Sequence, residues 1–199
     1  MIIGLTGKRD AGKSTFAKIA VNKFEFESIH AFGPGKAMIM AYYTYIGIDE
    51  VTAWEMVYGT KKDEYLGNMP EEDKNSRYFM EELGYLMGVK LGPKWTALQE
   101  LKRVERLKPN SNKILESIVY ELPIMDQLND AIIIECRRPG HNGPAGTHTD
   151  AYVADIKPFI TIINTTLEQY KHKCSLLIEA LIASQGDYEN VRNHFGKEF

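Results

Sequence analysis

The chain has 199 residues, 44% of them hydrophobic and 26% charged, with a formal net charge of −3. That length suits one domain with its own core, and the acidic balance argues against broad, non-specific binding to nucleic acid, which needs a basic face. No basic start precedes an apolar stretch, and no apolar run approaches the roughly 18 residues of a membrane span, so the sequence predicts a protein neither secreted nor membrane-spanning.

The first predicted element is a strand at Met1–Thr6, where Ile2, Ile3 and Leu5 make the short apolar run of a buried parallel strand. It leads into Gly7-Lys8-Arg9-Asp10-Ala11-Gly12-Lys13-Ser14, which fits G-x-x-x-x-G-K-[ST]. The glycines let the backbone wrap tightly enough for successive N–H groups to face one concavity suited to an anion. Phe16, Ile19, Ala20 and Phe24 then recur at helical spacing, and the helix start adds unpaired N–H groups and a positive dipole end. Strand, loop and helix in this order predict an ATP site running from Gly7 to Thr15. Lys13 would reach the β- and γ-phosphates and the Ser14 hydroxyl would ligate Mg²⁺. Arg9 is open between facing solvent and stacking on adenine.

Further strands are expected near Phe26–Phe32, Ile114–Tyr120, Ala131–Cys136 and Phe159–Asn164, alternating with helices as in a parallel sheet covered on both faces. A helical insertion, about 33–112, separates the second strand from the third. Its helical patterns lie near Lys36–Ile46, Asp49–Tyr58, Ser76–Met87 and Lys94–Leu107, divided by turn-rich pieces such as Tyr65–Asn75 and Pro109–Asn112. An insertion at the carboxyl ends of the strands is where an α/β enzyme holds its second substrate. Tyr42, Tyr43, Tyr45 and Trp54 are open between stacking on a base and core packing. Glu71-Glu72-Asp73 reads as a solvated turn.

The glycines and prolines of Pro139–Asp150 preclude a helix or a central strand there; a mobile lid (about 137–150) and a plain surface loop both fit. His141 and His148 in that segment lack metal-ligand spacing. Cys136 and Cys174, the two cysteines, fall in apolar patterns and predict reduced core thiols in a cytosolic protein. In the closing helix Leu167, Tyr170, Cys174, Leu177, Ile178, Leu181 and Ile182 hold one apolar face, with Thr165 and Glu168 as a capping box.

Phosphate chemistry needs converging cations, and Lys13, Lys36, Arg77, Arg137 and Arg138 are the candidates. Arg77 follows Asn75-Ser76, an N-cap signal, so a bidentate guanidinium would project from the first helical turn toward an acceptor phosphate. Arg137 and Arg138 stand where a strand ends and the Gly/Pro-rich segment begins, the place of a lid arginine. Solvated roles remain open for Lys36, Arg77, Arg137 and Arg138.

Four segments beyond the glycine loop carry a resemblance. Ala31-Phe32-Gly33-Pro34-Gly35-Lys36 is similar to F-A-x-P-x-K with its first two residues exchanged. Arg77-Tyr-Phe-Met-Glu-Glu-Leu83-Gly84, followed by Trp95, is similar to R-x-L-M-x-x-L-G. Ile132 to Gly140 is similar to a strand leading to R-P-G, and Ile162 to Glu168 to I-x-N-x-x-T-L. With the loop, they resemble the phage-type deoxynucleoside monophosphate kinases of the P-loop kinase superfamily. Two departures stand out. Family members carry D-V-R-F-P-N-E at the end of the third strand, where Val119 to Met125 keeps the proline but not the acid and arginine. Glu121 or Asp126 would have to supply the acid. Val89-Lys90 also replaces an arginine that often follows the L-G pair.

The resemblance implies a single α/β domain of P-loop NTPase fold, with a five-stranded parallel sheet ordered 2-3-1-4-5 and a helical acceptor-binding insertion. It implies the reaction ATP + dNMP → ADP + dNDP with Mg²⁺. Lys13, Arg77, Arg137 and Arg138 would be catalytic, and Phe32, Gly33, Lys36 and Arg77 would hold the acceptor. Small nucleotides, not nucleic acid or membrane, would be the partners, and a homodimer is left open. The place would be the cytoplasm, that of the host if the chain is phage-encoded. Two alternatives stay open: a P-loop kinase of another small acceptor, and a nucleotide-binding module without catalysis.

Overall fold

The computed structural model describes residues 1–65, 73–141 and 148–199, the side chains of residues 148 and 150 excepted. The chain divides into two compact units, one made of Met1–Ala31 with Leu101–Phe199 and the other of Phe32–Glu100. The expected insertion of 33–112 thus corresponds to a unit that ends at Glu100, and the last part of its final helix belongs with the sheet.

The first unit holds five parallel strands: β1 (Ile2–Thr6), β2 (Glu27–His30), β3 (Lys113–Glu116), β4 (Ala131–Arg137) and β5 (Ile160–Ile163). Their order is β2-β3-β1-β4-β5, the order expected from the sequence. Ile3 stands between Ile114 of β3 and Ile132 of β4, so the central strand is saturated on both sides. Helices flank the sheet. Alternate residues of β1 point to opposite faces. Ile3 and Leu5 pack with Phe16 and Ala20 of α1 (Lys13–Phe24) and with Tyr170, Cys174, Leu177 and Ile178 of α8 (Leu167–Ala183). Gly4 faces the other way, where a Cβ would come within 2.8 Å of Met125 and 2.9 Å of Ile118. Met125 lies on α6 (Leu122–Met125), which packs on β4.

The second unit contains α2 (Gly33–Tyr45), α3 (Glu50–Val57), α4 (Ser76–Tyr85) and the first turn of α5 (Ala97–Leu107), around Ile39, Tyr43, Met56, Val57 and Met80. Asp49 caps α3 through Thr52 N–H at 2.9 Å, and Asn75 caps α4 through Tyr78 N–H at 3.0 Å. Two expected helices differ in their regularity. The helix expected over Ser76–Met87 passes into a π-turn at Leu86–Lys90, and the one over Lys94–Leu107 begins as a separate 3₁₀ turn, Pro93–Trp95, before α5. Of the aromatics, Tyr43 is core, while Tyr42, Tyr45 and Trp54 remain exposed.

Other boundaries moved for identifiable reasons. The third strand was expected to reach Tyr120, but Ser117 turns left-handed at φ 64, and the Glu121 carboxylate takes the N–H groups of Val119 and Tyr120 out of any ladder. β2 stops at His30, because Gly33 and Pro34 start α2. Pro139–Asp150 was expected to exclude helix, yet α7 (His148–Ala154) begins there, after the last glycine and proline of the segment. The cap of α8 is one residue later than expected: Thr166 accepts from Gln169 N–H at 3.4 Å, and Thr165 donates to the Gln169 side chain instead. A final helix, α9 (Tyr188–Phe195), was not expected. The Glu71-Glu72 pair and residues 142–147 of the candidate lid lie outside the described residues.

The wholly buried Ile134 sits mid-strand in β4. Ile134→Ala should lower unfolding free energy by about 2–5 kcal/mol. The loss would be read as a fall in the denaturant midpoint at unchanged m-value.

Candidate functional site

β1 is the strand at which the sheet order reverses, with β3 on one side and β4 on the other. At such a point the chains leave a crevice beyond the strands' carboxyl ends. The glycine loop fills that place. Gly7 adopts φ 124 and Gly12 φ 114, conformations that side chains rarely reach, and Asp10 between them is left-handed at φ 59. At Gly7 the need is also steric: a Cβ would stand 2.2 Å from the carbonyl oxygen of Cys136. At Gly12 it would strike the Tyr170 ring at 2.7 Å.

The Lys13 ammonium curls back over this loop and donates to the carbonyls of Gly7 and Lys8, each at 2.7 Å. Burial holds it below the ordinary lysine value, while Cys136, Asp10 and Glu116 act in the opposite sense. A partly desolvated cation whose hydrogen bonds go to neutral carbonyls keeps most of its field for an anion. A cavity of about 230 Å³ beside it is lined by Asp10, Gly12, Lys13, Ser14 and Thr15, at the N-terminus of α1.

Other side chains reach the loop from outside. The Asn164 amide donates to Ala11 O at 3.1 Å, and the Tyr170 hydroxyl donates to Gly12 O at 3.2 Å. His141 Nε2 lies 3.0 Å from Arg9 O, so this nitrogen carries the proton. His141, Pro139, Gly140, Arg138, Arg137, Lys8 and Ala11 line a second cavity, of about 280 Å³, with Glu135 and Cys136.

The expected cations separate into distinct environments. Arg138 lines the second cavity and is exposed. Arg137 is gripped by carboxylates: Nη2 reaches Glu135 at 2.8 Å and Nη1 reaches Glu198 at 2.7 Å. In this arrangement it fastens the end of β4 rather than lying open for a phosphate. In the helical unit, Arg77 does emerge from the first turn of α4, but its Nε and Nη2 both donate to the Asp63 carboxylate, Nη2 at 2.9 Å. The Lys36 ammonium lies 5.4 Å from the centre of the Tyr58 ring. Phe32 packs against the core of that unit, its ring 1.9 Å from where a Cβ on Gly35 would stand. Gly33 similarly makes room for the Glu100 carboxylate, at 2.9 Å from a Cβ.

Glu121, a sequence candidate for the metal-orienting acid, is buried. Its Oε2 accepts from Val119 N–H at 2.7 Å and Tyr120 N–H at 2.9 Å, so it serves the turn and not a metal. Asp126, the other candidate, caps the end of α6. The acid that sequence reasoning missed is Glu116, the last residue of β3, held by Ser28 Oγ at 2.9 Å and close enough to act on Lys13. Its signal was present in the run Lys-Ile-Leu-Glu, an acid closing an apolar strand, three residues before the stretch that the motif comparison favoured. Tyr170 was legible only as core, and Asn164 only as part of a resemblance. Among the described residues no group of three or more His, Cys, Asp or Glu side chains would hold a metal unaided. Among them, too, no helix is long and apolar enough to cross a membrane. Cys136 and Cys174 are free and buried, with the Cys136 thiol pushed up to about 11 by burial.

No protein-family model matches this chain, and no curated protein matches it in sequence. Among solved structures, the crystal structure of TT1252 from Thermus thermophilus is similar at 16% identity. The match covers 92% of this chain and 97% of that one, with a TM-score of 0.44.

Burial raises the Glu121 carboxyl above its ordinary value of 4.5, against the pull of its backbone N–H partners. A raised acid adds stability fully below the unfolded value and loses it as pH climbs through the folded one. Glu121→Gln keeps an oxygen for both N–H groups and cannot ionise. Its melting temperature relative to wild type should therefore rise with pH from about 4.5 upward. A pH-independent difference between the two melting curves would contradict this.

Proposed function

We propose that this protein is a P-loop kinase that transfers the γ-phosphoryl group of ATP to a deoxynucleoside 5′-monophosphate. The observation that carries the first half of this reading is the Lys13 ammonium, 2.7 Å from each of two loop carbonyls and partly desolvated. Those carbonyls stand in for phosphate oxygens, so the loop accommodates an anion without rebuilding. The glycines at φ 124 and φ 114 fit the same group. The strand order β2-β3-β1-β4-β5, with the loop leaving the central strand, agrees with the order that the family resemblance implies and so supports this reading.

Each residue then has a physical task. Lys13 exchanges its carbonyl partners for β- and γ-phosphate oxygens and offsets the charge that gathers on them. The first N–H groups of α1, with the dipole behind them, hold the same phosphates. Mg²⁺ at such a site takes few protein ligands and completes its shell with phosphates and water. The Ser14 hydroxyl would hold it, with Glu116 as the neighbouring acid. When bound, the ion supplies charge neutralisation and a fixed phosphate geometry. The cavity along Lys8, Arg138 and His141 has room for a nucleobase. Lys36 and Arg77 of the helical unit would take the acceptor's phosphate. That phosphate is already ionised near neutral pH, so the reaction needs positioning more than a base.

A second reading, a nucleotide-binding module without catalysis, has one observation in its favour. Arg77 and Arg137 both engage carboxylates. Transfer would require Arg77 to leave Asp63 for a phosphate.

The deciding experiment measures ADP release with Mg-ATP and each of dTMP, dGMP, dCMP and dAMP. We expect turnover of at least one, with ribonucleotides slower. Lys13→Ala should retain the wild-type circular dichroism and melting transition while losing turnover by a factor of about 100 or more. ATP binding without turnover of any acceptor supports the module, and turnover of a non-nucleotide acceptor alone supports another kinase. Near-normal activity in folded Lys13→Ala would remove the loop from the ATP site.

A further inference from the structure

Outside the cradle, three loop carbonyls each have a side-chain donor from a distant part of the same unit. Arg9 O has His141 Nε2 at 3.0 Å, Ala11 O has Asn164 Nδ2 at 3.1 Å, and Gly12 O has the Tyr170 hydroxyl at 3.2 Å. A trans peptide is planar, with its C=O and the following N–H pointing in opposite directions. A donor that holds the carbonyl outward therefore fixes the next N–H inward. The N–H groups set in this way belong to Asp10, Gly12 and Lys13.

We propose that Tyr170, with Asn164 and His141, is a positioning residue that aims the loop's N–H groups at bound phosphate by holding the carbonyls of the same peptides from behind. Tyr170 has the strongest case. Its ring is fully buried and occupies the space that a Cβ on Gly12 would need. Its hydroxyl has one proton, directed to Gly12 O, and its oxygen meets the thiols of Cys136 and Cys174. Burial raises both thiols, so they stay protonated. Gly12 O also accepts Phe16 N–H at 3.0 Å. The Gly12–Lys13 peptide has little freedom to rotate. Asn164 is itself pinned, its N–H donating to Arg137 O at 2.7 Å.

The inference rests on the reading of the loop as a phosphate site. Its test compares wild type, Lys13→Ala, Tyr170→Phe and Asn164→Leu by calorimetric titration with two probes, Mg-ATP and inorganic tripolyphosphate. Tyr170→Phe keeps the ring and loses only the hydroxyl. Its Kd should rise about 3- to 10-fold, the range expected of one neutral hydrogen bond. The factor should be the same for both probes, since only phosphate is read. A purely structural role would lower the melting temperature of the free protein and leave both Kd values unmoved well below it. Wild-type binding that Lys13→Ala abolishes and Tyr170→Phe leaves within twofold would overturn the inference alone. Wild-type protein that binds neither probe would overturn the phosphate reading and this inference with it. If Tyr170→Phe fails to melt cooperatively, Asn164→Leu decides by the same criterion.

Discussion

The backbone of Gly7 lies against the carbonyl of Cys136, so close that a single added carbon would stand 2.2 Å from its oxygen. That approach fixes how the chain leaves β1. It turns away from β4, climbs through two further left-handed residues and enters α1 at Gly12. Everything useful about the loop follows from this path. The Lys13 ammonium lies over the carbonyls of Gly7 and Lys8, while those of Arg9, Ala11 and Gly12 meet side chains from beyond β4, from beyond β5 and from α8. A substitution at Gly7 would meet backbone, which has no rotamer to yield. Gly4 is different, because the atoms facing it are the flexible ends of Met125 and Ile118.

Charge in the sheet unit is arranged in pairs. Arg137 has Glu135 and Glu198, and Lys171 has Glu168. Such exposed or half-exposed pairs contribute little to stability, typically under about 1 kcal/mol each. Their effect is to set where fields cancel. Lys13 is placed otherwise: its contacts are carbonyls, and the carboxylates that act on it do so from a distance. A cation retained in this way is costly to the empty fold, since burial disfavours its charge. Cys136, Asp10 and Glu116 offset part of that cost.

Each of the two units has its own apolar centre. In the sheet unit, β1, α1, β4, β5 and α8 surround Phe16, Tyr170 and Leu177; in the helical unit, Tyr43, Ile39 and Met56 occupy that place. The helical unit keeps large apolar side chains at its surface, with Tyr45 88% and Val51 75% exposed, so its sequence is not a clean inside-outside code. This is why its helix boundaries were harder to read. After Tyr85 the chain passes into a π-turn that contains Gly88, and Thr96 stands between the Pro93–Trp95 turn and α5.

What the sequence by itself determined was local: the glycines of the loop, the short apolar strands, the helix start capped at Asn75, and the apolar face of α8. Each depends on neighbours within a few residues, where steric and periodic rules hold. The strand order was legible only as what the family resemblance implies. What the tertiary structure decided was which polar groups meet. Arg137 finds Glu198 across 61 residues, His141 finds Arg9 across 132, and Tyr170 finds Gly12 across 158. No spacing rule encodes those pairs. The same is true of Glu121, which folds back on its own turn, and of Glu116, whose charge reaches Lys13. A side chain's type states what it can bond to; only the packed fold brings one of the many eligible partners within 3 Å or so of it.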